Sequence, residues 1–239
     1  MVQHSLKVGK TRVSYFVRRR DQHPGHIGLV FCLLGLLMIS ACGKAPSYAP
    51  LPPGSTVLAL GDSITHGTGA GPGQNYPAYL ADISGWHIIN AGLPGDTAQG
   101  ALSRHEDLLA RHRPAAVIIE LGGNAFLRKR QPGEIKADLD RIISRVKASG
   151  AQPILVAVPA FSVFRASIGA LEDSPIYQAL AEEHELILID NLLADILSDP
   201  ALRADPIHPN ARGYRALAEG LAAALADTGL LEVHHQEAP

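Results

Sequence analysis

Only two cysteines, Cys32 and Cys42, occur in 239 residues. That excludes a disulfide scaffold and a four-thiolate metal site. An excess of one charge is also missing: the formal net charge is -2, so no wholesale nucleic-acid binding is expected. Charged residues make up 18% against 46% hydrophobic ones, which excludes a chain too polar to bury a core. The 23 glycines and 17 prolines follow no three-residue period, so a collagen-like helix is out. No internal repeat is apparent. The apolar run from Ile27 to Ile39 (IGLVFCLLGLLMI) stops at 13 residues, short of the ~20 that a spanning helix needs.

What precedes and follows that run gives it a meaning. Lys7, Lys10, Arg12, Arg18, Arg19 and Arg20 stand before it against one acid, Asp21. A basic flank, a short apolar core and small residues at its end make the pattern of a secretory signal. The end reads Ile39-Ser40-Ala41-Cys42-Gly43. It resembles a bacterial lipobox, in which the cysteine is acylated and becomes the first residue of the mature chain. A lipoprotein signal peptide is therefore expected over 1–41, with a lipid anchor at Cys42 on the periplasmic side of a bacterial cell envelope. Glycine after the cysteine favours, by the same analogy, the outer membrane of a Gram-negative host. A signal anchor and plain secretion are the alternatives, and the long basic flank leaves the true translation start open.

From Cys42 onward the chain has 198 residues with 15 basic and 22 acidic ones, enough for one well-buried domain. Its one cysteine would be consumed by the lipid, so thiol catalysis is not expected. Residues 42–54, with four prolines, read as an extended tether. Residues 231–239 (LEVHHQEAP) read as a flexible tail with His234 and His235 in solvent. The domain is assigned to 55–230.

Within it, apolar β-rich runs recur at Thr56–Leu60, His87–Ala91, Ala115–Leu121, Pro153–Val158 and Leu186–Asp190. They are nearly continuous in hydrophobicity, as parallel strands covered on both faces are. Amphipathic stretches lie between and after them at Ala101–His112, Ile135–Ser149 and Asn210–Ala226. The alternation implies an α/β fold, a three-layer sandwich around a five-stranded parallel sheet in the flavodoxin-like order 2-1-3-4-5. Ligands in such folds bind beyond the carboxyl ends of the strands, so the residues after each strand carry the chemistry.

After the first run comes Gly61-Asp62-Ser63-Ile64-Thr65. Ser63 at a strand-to-helix turn has backbone N–H groups near it that could face an anion, but serine is also a common helix N-cap. After the second comes Asn90-Ala91-Gly92-Leu93-Pro94-Gly95-Asp96-Thr97, where the Gly95 N–H could donate to an oxyanion or simply belong to a turn. After the third comes Gly122-Gly123-Asn124, whose carboxamide could add a donor or cap a helix. After the fifth comes Asp205-Pro206-Ile207-His208-Pro209-Asn210. A serine hydroxyl needs a base, usually His held in one tautomer by a carboxylate, and Asp and His three apart on a proline-stiffened turn can reach each other. Taken singly no block decides; together they fall where a parallel-sheet enzyme keeps its site.

The ordered set of GDSIT, NAGLPGDT, LGGN and DPIHPN closely resembles the four blocks of the SGNH, or GDSL, hydrolase family, over about residues 55–228. The second and third blocks are most similar to its thioesterase I, lysophospholipase and arylesterase branch. The resemblance implies Ser63 as nucleophile, His208 as base, Asp205 as its orienter, and an oxyanion hole from the Ser63 N–H, the Gly95 N–H and the Asn124 side chain. It implies a serine esterase working through an acyl-enzyme on carboxylic esters or thioesters, without metal or organic cofactor, on a small-molecule ester or lipid, and acting as a monomer. One departure stands out: Ala125 replaces the Asp that usually follows the Asn, and an altered loop at 125–130 is expected from it.

Substrate choice is less legible. Phe126 and Leu127 could meet an acyl chain, and Arg128, Lys129 and Arg130 an anionic head group or only solvent. Segment 160–173 could wall the cleft or be a packed connection. His66, His87, His105, His112 and His184 lack ligand spacing and read as surface or structural. A cell-envelope carbohydrate O-deacetylase, and a lipid-anchored binding protein without turnover, are the alternative functions.

Overall fold

Residues 48–160 and 171–232, and the backbone of 2–8 and 11–17, are described by a computed structural model of the chain. The five apolar runs become parallel strands: β3 (Thr56–Gly61), β4 (His87–Gly92), β5 (Ala116–Glu120), β6 (Gln152–Val156) and β7 (Ile187–Asp190). They lie side by side as β4-β3-β5-β6-β7, the expected flavodoxin-like order. Val57–Leu60 and Ala116–Ile119 are wholly buried, because helices cover both faces of the sheet there. β4 is an edge strand and stays partly open.

Two further strands were not expected. β1 (Val2–Val8) and β2 (Thr11–Val17) form an antiparallel hairpin whose second strand pairs antiparallel with β7, Arg12 opposite Asp190 and Ser14 opposite Leu188. The sequence carries a period-two signal for them, with Val2, His4, Leu6 and Val8 alternating with polar residues. The same stretch holds basic residues of the flank that precedes the apolar run 27–39. The apolar run 27–39, Cys42 and the tail from 233 lie outside the described residues.

Among the described residues the helices are α1 (Ser63–His66), α2 (Tyr76–Ser84), α3 (Ala98–Ala101), α4 (His105–His112), α5 (Gly123–Leu127), α6 (Pro132–Ala148), α7 (Pro175–His184), α8 (Leu192–Ser198) and α9 (Ala211–Asp227). The stretch Ala101–His112, read as one helix, is two, broken over 102–104. α6 buries Ile135, Leu139, Ile142, Ile143 and Val146, the stripe that its 3.6-residue period sets. α9 buries Tyr214, Leu217, Leu221 and Leu225.

Both borders of the domain lie further out than expected. The tether packs from Tyr48 onward: the Tyr48 N–H donates to Thr228 O at 3.3 Å and the Leu51 N–H to Leu230 O at 2.9 Å. Leu51 O in turn accepts from the Trp86 indole at 3.1 Å. Leu231, read as the start of a loose tail, is buried and its N–H donates to Leu225 O. The carbonyls left over at the end of α9 need donors, and these two segments supply and receive them.

Candidate active site

The strand order reverses between β3 and β5, so the crevice beyond their carboxyl ends is where the fold leaves room for a ligand. Ser63 follows β3 and opens α1. Asp62 caps that helix, its Oδ1 accepting the Ile64 N–H at 3.0 Å. α1 is a single turn, so the Ser63 N–H itself, rather than a helix dipole, is what this element presents. The Asp205–Asn210 turn comes from the other end of the domain and sits over Ser63. Asn210 fixes it by accepting the Arg212 and Gly213 N–H groups and donating to Ala201 O and Arg203 O.

Ser63 and His208, 145 positions apart in sequence, meet with Asp205 in one line of hydrogen bonds. His208 Nε2 lies 3.0 Å from Ser63 Oγ, and His208 Nδ1 lies 2.7 Å from Asp205 Oδ2. Asp205 Oδ1 accepts the N–H groups of Ile207 at 2.8 Å and His208 at 2.9 Å. With the carboxylate facing Nδ1, that nitrogen carries the proton and Nε2 is left to accept one. Burial pushes the Asp205 carboxyl up, but the His208 hydrogen bond and the two amides outweigh it and hold it below the usual range. It therefore stays ionised wherever a His base could work.

The other expected donors follow β4 and β5, the two strands that flank β3. Gly95 lies in the turn after β4 with φ +80, a left-handed backbone that glycine adopts without strain. Among the described residues, no hydrogen bond engages the N–H of Gly95 or of Ser63. Asn124 lies within α5 rather than capping it, Gly122 being the residue before the helix. One Asn124 Nδ2–H donates to Asp62 Oδ2 at 2.9 Å. Asp62 thus ties the nucleophile turn to the carboxamide. Ala125, where the resemblance leads one to expect an Asp, is buried.

Several residues of the site gave no signal in the sequence. Glu120, at the end of β5, is fully buried, and its Oε2 accepts the Thr65 hydroxyl at 2.9 Å. Thr65 also contacts the Tyr76 hydroxyl at 3.0 Å. Gly69 permits the close approach of the His208 turn, since a Cβ there would stand 2.6 Å from Pro209 O and 3.3 Å from His208 Cβ. Tyr214 on α9 donates to Thr68 O at 2.7 Å. Each acts through tertiary contact, and only the buried polar letters inside apolar runs, Glu120 above all, could have flagged them.

The substrate-side expectations fare unevenly. Leu127 is exposed beside the crevice, but Phe126 is half-buried against the core. Arg130 does not face a ligand: it bonds Asp138 at 2.5 Å and lies 3.4 Å from Glu134 on α6, and the Asp138 carboxylate raises its pKa further. Arg128 donates to Gly95 O at 2.9 Å. Residues 161–170 lie outside the described residues, while Leu171 is buried and Pro159 bridges to Asp173. His184 pairs with Asp140 at 2.7 Å, His105 is buried against Leu102 O at 3.1 Å, and His66 and His87 are exposed. Among the described residues no group of three or more His, Cys, Asp or Glu side chains could hold a metal ion.

Buried carboxyls give the domain an unusual response to pH. Burial pushes Asp62 up to about 6 against the hydrogen bonds from Ile64 and Asn124, and Asp173 up to about 6 against the Asn191 N–H. Burial also holds Glu120 well above its ordinary value. Each group binds its proton more tightly folded than unfolded, so stability falls as pH rises from about 4 through about 6. The thermal midpoint is expected to be several degrees higher at pH 5 than at pH 8. A scan in matched ionic strength that rises toward pH 8 instead would contradict it. Asp62→Asn should act on turnover: an amide offers one acceptor oxygen for two donors, so Ile64 or Asn124 loses its partner. We expect kcat to fall about 10²-fold with KM little changed, since small displacements of an aligned group cost that much. Steady-state kinetics on p-nitrophenyl butyrate would read it.

A serine hydroxyl hydrogen-bonded to a histidine that a carboxylate orients is the arrangement of hydrolases that pass through a tetrahedral oxyanion. The match to a family model agrees: residues 59–216 fit the GDSL-like lipase/acylhydrolase family. The chain is 34% identical over 173 residues to thioesterase 1/protease 1/lysophospholipase L1 of Escherichia coli, covering 70% of this chain and 81% of that one. It is 32% identical over 194 residues to an arylesterase of Vibrio mimicus, covering 78% and 94%. Among solved structures, TesA superposes with a TM-score of 0.63 at 28% identity, over 71% of this chain and 97% of that one. The SGNH-hydrolase family esterase AlinE4 superposes with a TM-score of 0.56 at 30% identity, over 74% and 95%. The chain belongs to the GDSL-like lipase/acylhydrolase family and is a serine hydrolase of ester bonds.

Proposed function

We propose that Ser63, His208 and Asp205 form the catalytic triad, that the Ser63 and Gly95 N–H groups and Asn124 form the oxyanion hole, and that the substrates are carboxylic esters or thioesters with an apolar acyl chain. Ser63 Oγ attacks the carbonyl carbon as its proton passes to His208 Nε2. The oxyanion then draws its hydrogen bonds from the three donors, each worth about 10²–10³ in rate. His208 protonates the leaving alcohol or thiol, the acyl-enzyme forms, and water repeats the sequence in reverse. The observation that carries the triad is the continuous Ser63–His208–Asp205 hydrogen-bonded line.

The acyl-chain reading rests on where apolar surface is left open. Among the described residues the exposed large hydrophobics are Ile83, Leu93 and Leu127. Leu93 precedes Gly95 by two residues and Leu127 follows Asn124 by three, so two of them flank the oxyanion donors. The Escherichia coli relative, a thioesterase and lysophospholipase by name, supports the same reading. A series of p-nitrophenyl esters from acetyl to palmitoyl tests this. A preference between butyryl and decanoyl is expected. Turnover of acetyl alone would favour a carbohydrate O-deacetylase, and no turnover a binding protein.

We further propose that the protein is a lipoprotein anchored at Cys42. The support is the apolar run of 13 residues ending in Ile39-Ser40-Ala41-Cys42 and the proline-rich segment after it. Several acyl chains on one cysteine would hold firmly where a single chain binds only marginally. Cleavage before Cys42 would remove β1 and β2 and leave the five parallel strands and the loops that carry Ser63, Asp205 and His208. Labelling with an alkyne palmitate should mark the wild type and not Cys42→Ser. An unlabelled protein found wholly in the soluble fraction would refute the anchor.

A further inference from the structure

Arg104 stands between α3 and α4, and as the residue before α4 it makes no capping bond to that helix. Its guanidinium turns instead toward the carboxyl ends of the strands. Nε donates to Asp96 Oδ2 at 2.9 Å and Nη2 donates to the same oxygen at 2.7 Å. Nη1 donates to Ala91 O at 2.8 Å, near the end of β4. Nη2 also donates to Gly61 O at 3.0 Å, the last residue of β3. Gly61 lies two residues before Ser63, and Asp96 directly follows Gly95.

We propose that Arg104 is a positioning residue for the oxyanion hole: its guanidinium locks the turn that presents the Gly95 N–H to the strand end that presents the Ser63 N–H. This rests on the reading of Gly95 as an oxyanion donor. The two donors come from different loops, and their separation must match one oxygen atom to a few tenths of an ångström. The Leu93 N–H donates to Gly61 O at 3.1 Å and the Asp96 N–H closes the turn on Leu93 O at 3.0 Å, which hold the base of the loop. Two side chains hold its tip: Arg128 donates to Gly95 O at 2.9 Å, and Asp96 accepts the Thr97 N–H on Oδ1 at 2.8 Å while Arg104 grips its Oδ2.

The side chains are 23% and 7% exposed, so water competes weakly for these bonds. A planar fork suits the task. It reaches a carboxylate and two carbonyls at fixed angles, whereas a lysine ammonium concentrates its donors on one atom. Because Arg104 touches neither the substrate carbonyl nor the triad, its loss should misplace a donor and leave the base untouched.

The test compares Arg104→Lys, Arg104→Gln and Asp96→Asn with wild type on p-nitrophenyl butyrate. Expected is a fall in kcat of about 10²-fold for Arg104→Gln and at least about tenfold for Arg104→Lys, with KM within about threefold. The pH dependence of kcat/KM should not shift, because His208 and Asp205 keep their partners. In Arg104→Ala, added ethylguanidinium should restore part of kcat. Asp96→Asn weakens the loop side of the clamp and leaves Arg104 on both strand carbonyls, so it decides alone if the arginine variants do not fold. The proposal is overturned if the folded variants keep kcat within about threefold of wild type, or if kcat falls only in step with the unfolded fraction. An amide-to-ester replacement at Gly95 (glycolic acid in its place), which deletes the N–H and keeps the residue without a side chain, separates the two layers. A loss of kcat there, with Arg104 and Asp96 variants unaffected, keeps Gly95 as donor and removes the clamp. Full kcat with the ester removes Gly95 from the hole and the proposal with it.

Discussion

Ser63→Ala is expected to lower ester hydrolysis by roughly 10⁴-fold or more while the domain stays folded. The hydroxyl has one partner, His208 Nε2 at 3.0 Å, and Ser63 is only half-buried. Removing it leaves no buried group unpaired, so the thermal midpoint should move little. What disappears is the nucleophile, for which the site holds no substitute: His208 has no second hydroxyl within reach among the described hydrogen bonds. A fluorophosphonate should label the wild type once, on the Ser63 peptide, and leave the variant unlabelled. Label on another residue, or turnover surviving in Ser63→Ala, would overturn the nucleophile.

Asp205→Asn is the second large effect. The carboxylate faces His208 Nδ1 at 2.7 Å and carries two further amide bonds, so the side chain is fixed by its own turn. An asparagine keeps the volume but turns either a carbonyl or an NH₂ toward the ring. The NH₂ orientation favours the tautomer with the proton on Nε2, which cannot accept the serine proton. Either orientation loses the charge that stabilises the imidazolium. The expected loss in kcat is about 10²–10⁴-fold, with KM much less affected. The lower end of that range reflects the 45% exposure of the Asp205 side chain, since water can partly replace it. Because Asp205 is held below the usual carboxylate range, the acid limb of the wild-type profile should come from other groups. An Asp205→Asn enzyme with wild-type kcat would refute the dyad.

Much of this was legible in residue order. Continuous apolar runs separated by amphipathic stretches can hardly be anything but parallel strands under helices, because each run must be covered on two faces. That logic is local, and β3 to β7 follow it to within a residue or two at each end. The blocks were legible for a similar reason: Asp62 and Asp205 bond the backbone of their own turns, and Gly95 takes a left-handed backbone that glycine adopts without strain. Local signals said less where two patterns overlap. Residues 2–8 and 11–17 carry both a basic flank and a period-two alternation, and composition does not say that the second stretch pairs with β7. The tether looked unable to pack, because proline content says nothing of the carbonyls of Thr228 and Leu230, after α9, that accept from Tyr48 and Leu51.

By itself, then, the sequence determined the α/β class, the strand order and the candidates for the reacting groups, since hydrophobic period and turn chemistry act between near neighbours. Tertiary structure decided how those groups are held. Asp62 bridging the Ser63 turn to Asn124, Glu120 buried under Thr65, Arg104 joining Gly61 to Asp96, and Arg130 drawn to Asp138 instead of a ligand all link residues from different elements. An ionic or polar side chain takes whichever partner the folded chain brings within about 3 Å. Only the packing of sheet and helices fixes which partner that is.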